Sequence, residues 1–302
     1  MQNNRNNIIK NFLDYLENML QYSKNTIRSY SIDLDDYIKF CETENPNIKF
    51  EMLGQDSIQL YMRKLSRDKL QPSTIARKLA AIKSLYKFMI KEKITNVNIT
   101  RLIKTPKTNK SLPNFLSLKE ANDILTMPNG HDKKSYRDRL ILELFYSTGI
   151  RISELVKIKI EDIHFNEGTI NVLGKGKRER VVMIGEKCDK IIRQYLEKVY
   201  NIIPCEKFLF KSYRTKSNTG HISERTVFNI VKKYCKLVSD NEKLSPHSLR
   251  HTFATHMLNN GADLMAIKNL LGHSSLSSTQ IYSHLEIDRM KEIYKQSHPH
   301  GK

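Results

Sequence analysis

The sequence predicts a mostly α protein with a small antiparallel β-sheet, divided into two domains. Three observations carry this. Apolar residues recur at helical spacing through most of the chain, as in Ile27, Tyr30, Leu34, Tyr37 and Ile38. The period drops to two between residues 162 and 184, where turn residues separate three short apolar runs. From 94 to 113 the hydrophobic pattern lapses, and Pro, Asn, Thr and Lys dominate, as in a linker. At 302 residues, each of two domains is long enough to bury its own core.

Taken in order, residues 8–43 read as two helices with a break at Tyr22-Ser23-Lys24-Asn25. A third helix covers 57–69. Pro72-Ser73 opens a fourth, in which Ile75, Leu79, Ile82, Leu85, Tyr86 and Met89 share one face. Arg77, Lys83, Ser84 and Lys87 share the opposite face, which suits either solvent or a nucleic-acid backbone. Beyond the linker comes a short helix from Ser117 to Leu125. A strongly apolar helix follows at 136–147, broken by Thr148-Gly149-Ile150-Arg151, with a helical turn at 153–156. Strands are expected at 162–165, 169–173 and 180–184. Asn166-Glu167-Gly168 and Gly174-Lys175-Gly176-Lys177 form the turns between them. Helices follow at 188–200 and 223–238.

Lys and Arg outnumber Asp and Glu by 51 to 32, a formal net charge of +19. The excess is 9 in residues 1–110 and 10 in the remainder, so both domains are basic. Such a distribution suits a polyanion gripped from two sides rather than a basic tail. Cys41, Cys188, Cys205 and Cys235 are far apart and form no C-x-x-C pair, so disulfides and a zinc knuckle are not expected. No apolar run reaches membrane-spanning length, and the start lacks the apolar core of a signal peptide. A cytoplasmic protein is the expectation.

The stretch Ser245–Tyr282 gathers chemistry. Ser245 and Pro246 open a helix on which His247, Arg250 and His251 occupy one side of the first turn. Ala254, Met257 and Leu258 continue that side, which places the polar groups at the edge of a core. A helix N-terminus with these residues suits an anion, phosphate above all. Gly261 and Gly272 read as helix stops, and His273 follows the second. Ser277 and Gln280 match a capping box, which puts Tyr282 early in a new helix. His247 and His251 have metal-ligand spacing, but Arg250 beside them repels a cation, and no metal is expected. Gly174-Lys175-Gly176 lacks the spacing and the Ser/Thr of a P-loop and reads as a hairpin tip carrying a lysine. The tail His298-Pro299-His300 reads as a disordered end.

A single reaction makes sense of these groups. A tyrosine attacking a phosphodiester has a pKa of ~10 and needs a base, which His supplies. Arginines hold the charge that develops on the non-bridging oxygens. A lysine protonates the leaving alkoxide. Glu154, three residues after Arg151, is either a plain salt-bridge partner or the group that aims this arginine.

The residues Arg151 in TGIRISEL, Lys175 in LGKGKRERV, His247 and Arg250 in PHSLRHTFATH, His273 in LLGH and Tyr282 in STQIYSH together resemble the tyrosine recombinase (phage integrase) family. KNTIRSYSIDLDDYIKF and PSTIARKLAAIKSLYKF resemble that family's SAM-like core-binding domain, and the chain as a whole looks most like its bacterial Xer branch. The resemblance implies a helical DNA-binding domain at 1–105, a linker at 106–112, and a catalytic domain at 113–302 with a C-terminal exchange helix at about 285–296. It implies Tyr282 as nucleophile forming a 3′-phosphotyrosine, and Arg151 and Arg250 as phosphate clamps. Lys175 would be the general acid, His247 the base or proton relay, His273 a phosphate hydrogen-bond donor and Glu154 the accessory acid. No metal or other cofactor is expected. The implied partners are double-stranded DNA with a specific recombination site, a homo- or hetero-tetramer on two such sites, a paired recombinase and a septal DNA translocase. Candidate DNA contacts are Arg77, Lys83, Lys87, Arg225 and Lys232. Chromosome-dimer resolution is the expected role, with mobile-element integration as the alternative. A type IB topoisomerase-like enzyme and a non-catalytic DNA-binding protein are the more distant rivals.

Overall fold

A computed structural model describes residues 2–44, 52–107, 114–174, 179–200, 207–212, 220–272 and 284–301, with the side chains of all these except 2–6 and 284–287. The chain divides into two compact units, Met1–Ser111 and Leu112–Lys302.

The first unit consists of α1 (Gln2–Asn18), α2 (Lys24–Glu44), α3 (Gln55–Arg67) and α4 (Pro72–Lys91). Its core is built from Phe12, Leu16, Leu34, Tyr37, Ile58, Tyr61, Leu79, Ile82 and Leu85, all fully buried. The expected apolar face of α4 is buried, and Ala81 and Phe88 join it. Lys78 is buried as well. It donates to Asp36 Oδ2 at 2.8 Å and pairs with Asp33, whose side chain is 1% exposed. Arg77 pairs with the same Asp33, and Tyr61 donates to Asp36 at 2.7 Å. One turn of α2 thus anchors α3 and α4 through carboxylates.

The second unit is organised around α6 (Lys133–Thr148), whose residues 140–148 are buried on every side. A helix buried on every side is enclosed by other elements, and its polar Glu143, Ser147 and Thr148 all find hydrogen-bond partners. Here it is packed by α5 (Leu118–Thr126), α8 (Glu186–Tyr200), α9 (Glu224–Val238) and α10 (Pro246–Asn259). Ser117 and Glu120 close a reciprocal cap on α5. The short α7 (Ile152–Leu155) follows α6. The sheet is antiparallel in the order β1 (Ile163–His164), β2 (Thr169–Leu173), β3 (Glu179–Met183). β1 is shorter than expected because Asp162 belongs to a one-turn 3₁₀ helix, Ile160–Asp162. The cross-strand pairs Ile170↔Val182 and Val172↔Arg180 set the register. α11 (Leu264–Leu271) and α12 (His284–Ser297) complete the unit, and both pack on α10 and β3.

Two expectations need correction. Leu258 is 50% exposed and does not continue the buried side of α10 with Met257; it stands one residue before the helix ends at Asn259. The tail is not a disordered end. His298 and His300 are buried, and an added Cβ on Gly185 would lie 1.9 Å from the His300 carbonyl oxygen. His298 Nε2 donates to the Tyr146 carbonyl and stacks on Tyr294, while its Nδ1 accepts from the His300 N–H. His300 Nδ1 donates to Glu143 at 2.7 Å, and Lys187 donates to its Nε2. Burial alone would raise the Glu143 carboxyl, but His300, with Ser147 and Lys187, holds it below the usual range.

Burial pushes the His298 imidazole down to about 3, and the neighbouring His300 adds to the shift. An unfolded histidine takes its proton near ~6.5, so the stability from tail docking is fully present above that pH and declines as pH falls toward the folded value. From pH 6.5 to 5 the loss amounts to roughly 2 kcal/mol from this group. Urea midpoints across that range should show this slope in the wild type and a shallower one in His298→Gln.

Candidate active site

The site forms where α6 ends. Gly149 terminates α6 with φ of 58°, and its N–H returns to the Phe145 carbonyl. A Cβ there would also lie 2.7 Å from both Leu271 and Phe253, so glycine lets α10 and α11 close on this point. The chain leaves directly into Arg151, which precedes α7.

Glu154 on α7 is 1% exposed. Its carboxylate accepts from the Arg151 backbone N–H at 2.9 Å and from Arg151 Nη1 at 2.8 Å. The pair is therefore a salt bridge, and the two contacts together fix where the guanidinium stands. Arg151 Nη2 donates to the Gly272 carbonyl at 3.3 Å, and the side chain is 35% exposed.

Arg250 arrives from the first turns of α10 and is buried. It donates to the carbonyls of Gly149 and Leu271, the ends of α6 and α11. Ser245 stands at the N-cap position of α10 and Pro246 follows it, as expected, and the Ser245 backbone N–H bonds the Ser248 hydroxyl at 3.2 Å. His247 and His251 are exposed on the same turns, and Arg250 between them points inward.

A third guanidinium, which sequence reasoning missed, completes the cluster. Arg180 on β3 is 8% exposed. It donates to Glu154 Oε2 at 2.8 Å, to Glu154 Oε1 at 3.4 Å and to the Leu270 carbonyl at 2.6 Å. Its signal was the strand period, which puts Arg180 on the same buried face as Val182.

Three guanidiniums thus surround one carboxylate. Burial would raise the Glu154 carboxyl, but Arg180 and then Arg151 outweigh it and hold it below the usual range. Burial, then Arg151 and Arg180, push Arg250 down to about 9. The excess of positive charge favours a bound anion.

The structure therefore brings together Arg151, Glu154 and Arg250. Lys175, His273 and Tyr282 lie outside the described residues, as does the expected capping box at Ser277 and Gln280. Among the described residues no group of three or more His, Cys, Asp or Glu side chains could hold a metal. Of the candidate DNA contacts, Lys87 and Arg225 are exposed and Arg77 is engaged with Asp33. Lys83 donates to the Ile103 carbonyl, and Lys232 to those of Glu242 and Leu244.

The chain thus joins an all-helical unit to an α-rich unit that carries a cluster of three arginines around Glu154, a charge arrangement suited to a polyanion. The profile described as "Phage integrase family" matches residues 114–289, and "Phage integrase, N-terminal SAM-like domain" matches 9–93. The chain belongs to the phage integrase family of tyrosine recombinases. It is 38% identical over 298 residues to tyrosine recombinase XerC of Thermodesulfovibrio yellowstonii, covering 97% of each chain. It is 35% identical to tyrosine recombinase XerD of Halalkalibacterium halodurans, covering 97% of this chain and 98% of the relative. Among solved structures, XerH site-specific recombinase bound to its palindromic difH substrate shares the fold. It gives a TM-score of 0.67 at 22% identity, over 88% of this chain and 78% of that one.

Proposed function

We propose that this chain cuts and rejoins double-stranded DNA at a specific recombination site through a 3′-phosphotyrosine at Tyr282. The observation that carries the reading is the convergence of Arg151 and Arg250 with Glu154, from distant segments, into a site with excess positive charge.

In this reading Arg151 and Arg250 hold the two non-bridging oxygens of the scissile phosphate. The Tyr282 oxygen attacks phosphorus as His247 accepts its proton, and the bond to the 5′-oxygen breaks. Lys175 protonates that oxygen, and His273 donates a hydrogen bond to the phosphate. The phosphotyrosine retains the phosphodiester's energy, so a 5′-hydroxyl from another strand reverses the reaction without a nucleotide, metal or other cofactor. The two basic domains would enclose the duplex, with Lys87 and Arg225 as the exposed candidates for contact. Arg77, Lys83 and Lys232 would reach DNA only by leaving their present partners. A tetramer on two sites, exchange of α12 between protomers, a paired recombinase and a septal DNA translocase belong to the same proposal, as does chromosome-dimer resolution. No described helix is long and apolar enough to cross a membrane. Action on the chromosome would place the protein in the cytoplasm, at the nucleoid.

A plasmid with two directly repeated copies of a site selected from a randomised pool tests this. The expected result is deletion of the intervening segment as a second circle. Relaxation of any supercoiled plasmid without exchange would instead mark a topoisomerase-like enzyme.

A further inference from the structure

Arg180 has no part in the reaction as written above, yet it is a buried charge in the middle of the site. All three of its guanidinium nitrogens bond to protein acceptors: two to Glu154 and one to the Leu270 carbonyl. Its Cδ also stands 2.6 Å from where a Cβ on Gly272 would be, so the left-handed turn at the end of α11 is packed directly against it. Leu270, Leu271 and Gly272 carry the three carbonyls that receive Arg180, Arg250 and Arg151 respectively. The end of α11 is therefore a common platform for all three arginines, and Arg180 is the one that holds it from the sheet.

The electrostatic consequence is specific. Glu154 has one negative charge and two guanidinium partners. Without Arg180 it would pair with Arg151 alone, as a buried carboxylate must find compensation. That would neutralise the arginine meant for the phosphate and lower the cluster from two excess positive charges to one.

We propose that Arg180 is a positioning residue for DNA cleavage: it occupies one side of Glu154 and the end of α11, so that Arg151 is aimed by Glu154 without being neutralised by it. This rests on the catalytic reading given above. It concerns a group on β3 whose guanidinium nitrogens bond Glu154 and the Leu270 carbonyl.

The test is single-turnover adduct formation at saturating DNA, on a nicked suicide duplex whose sequence the wild type has selected from a randomised pool. Arg180→Met should slow cleavage on the order of 10²-fold, the scale of a misaimed catalytic group. Its DNA affinity should stay within about threefold, since phosphate contacts along the duplex dominate binding. Arg180→Lys, which keeps the charge and loses the fork, should fall between Arg180→Met and wild type, and it carries the test if Arg180→Met does not fold. The decisive variant is the double change Glu154→Gln with Arg180→Met. It restores two excess charges and should cleave about tenfold faster than Arg180→Met alone. A purely structural arginine predicts the double variant to be equal or worse. Arg180→Met within twofold of wild type, or a double variant no faster than Arg180→Met, would overturn the inference and leave the catalytic reading standing. Arg180→Lys at wild-type rate would do the same. A wild type that forms no adduct at all would overturn both.

Discussion

Tyr282→Phe should eliminate covalent attachment to DNA and leave binding nearly unchanged. The expected loss in cleavage rate is on the order of 10⁴-fold or more, as for removal of other covalent nucleophiles. The reason is chemical rather than conformational. Phenylalanine keeps the ring and removes the oxygen proposed to form the bond to phosphorus. Binding rests on many phosphate contacts along the duplex, of which the scissile one is a small part. Gel-shift titration and denaturing electrophoresis on the same nicked duplex separate the two quantities. A Tyr282→Phe protein that still forms the adduct would remove this residue from the mechanism.

The second large effect is at Arg250. Arg250→Lys should slow cleavage by roughly 10²–10³-fold, the cost of losing one donor to a developing oxyanion. Lysine retains charge but not the planar fork, so it cannot hold the Gly149 and Leu271 carbonyls and a phosphate oxygen in one geometry. The wild type should also show a pH signature. Burial and the neighbouring Arg151 and Arg180 push Arg250 down to about 9 in the DNA-free protein. Its charge is complete well below that pH and is lost as pH rises through it. The free-enzyme parameter kcat/KM should therefore fall about tenfold per pH unit above about 9. A bound phosphate favours the charged form, so kcat at saturating DNA should hold to higher pH. A kcat/KM that stays flat to pH 10.5 would contradict a guanidinium lowered to about 9.

Much of this site was legible in the sequence because each residue sits beside a local signal. Gly149 breaks an apolar helix just before Arg151, Glu154 follows at helical spacing, and Pro246 announces the turn that carries His247 and Arg250. The helices were legible for the same reason, since apolar periodicity is imposed by the core each one faces. What was not legible depends on contacts between segments distant in the chain. Arg180 lies on the inward face of β3, which the strand period does reveal, but its partners are on α7 and α11. Lys83 and Lys232 share exposed-looking helix faces with other cations, and only the fold shows that they bond carbonyls. The tail misled because its composition is that of a chain end, whereas its stability comes from Glu143, Tyr146, Gly185 and Lys187 more than a hundred positions away.

The most direct measurement is the chemical identity of the protein–DNA bond. After trapping on the nicked duplex and tryptic digestion, the nucleotide-bearing peptide should be the one between Lys268 and Arg289, whose single tyrosine is Tyr282. Fragmentation should place the phosphate on that tyrosine and leave a free 5′-hydroxyl on the released strand. A phosphate linked to any other residue, or a released strand ending in 5′-phosphate, would contradict the account.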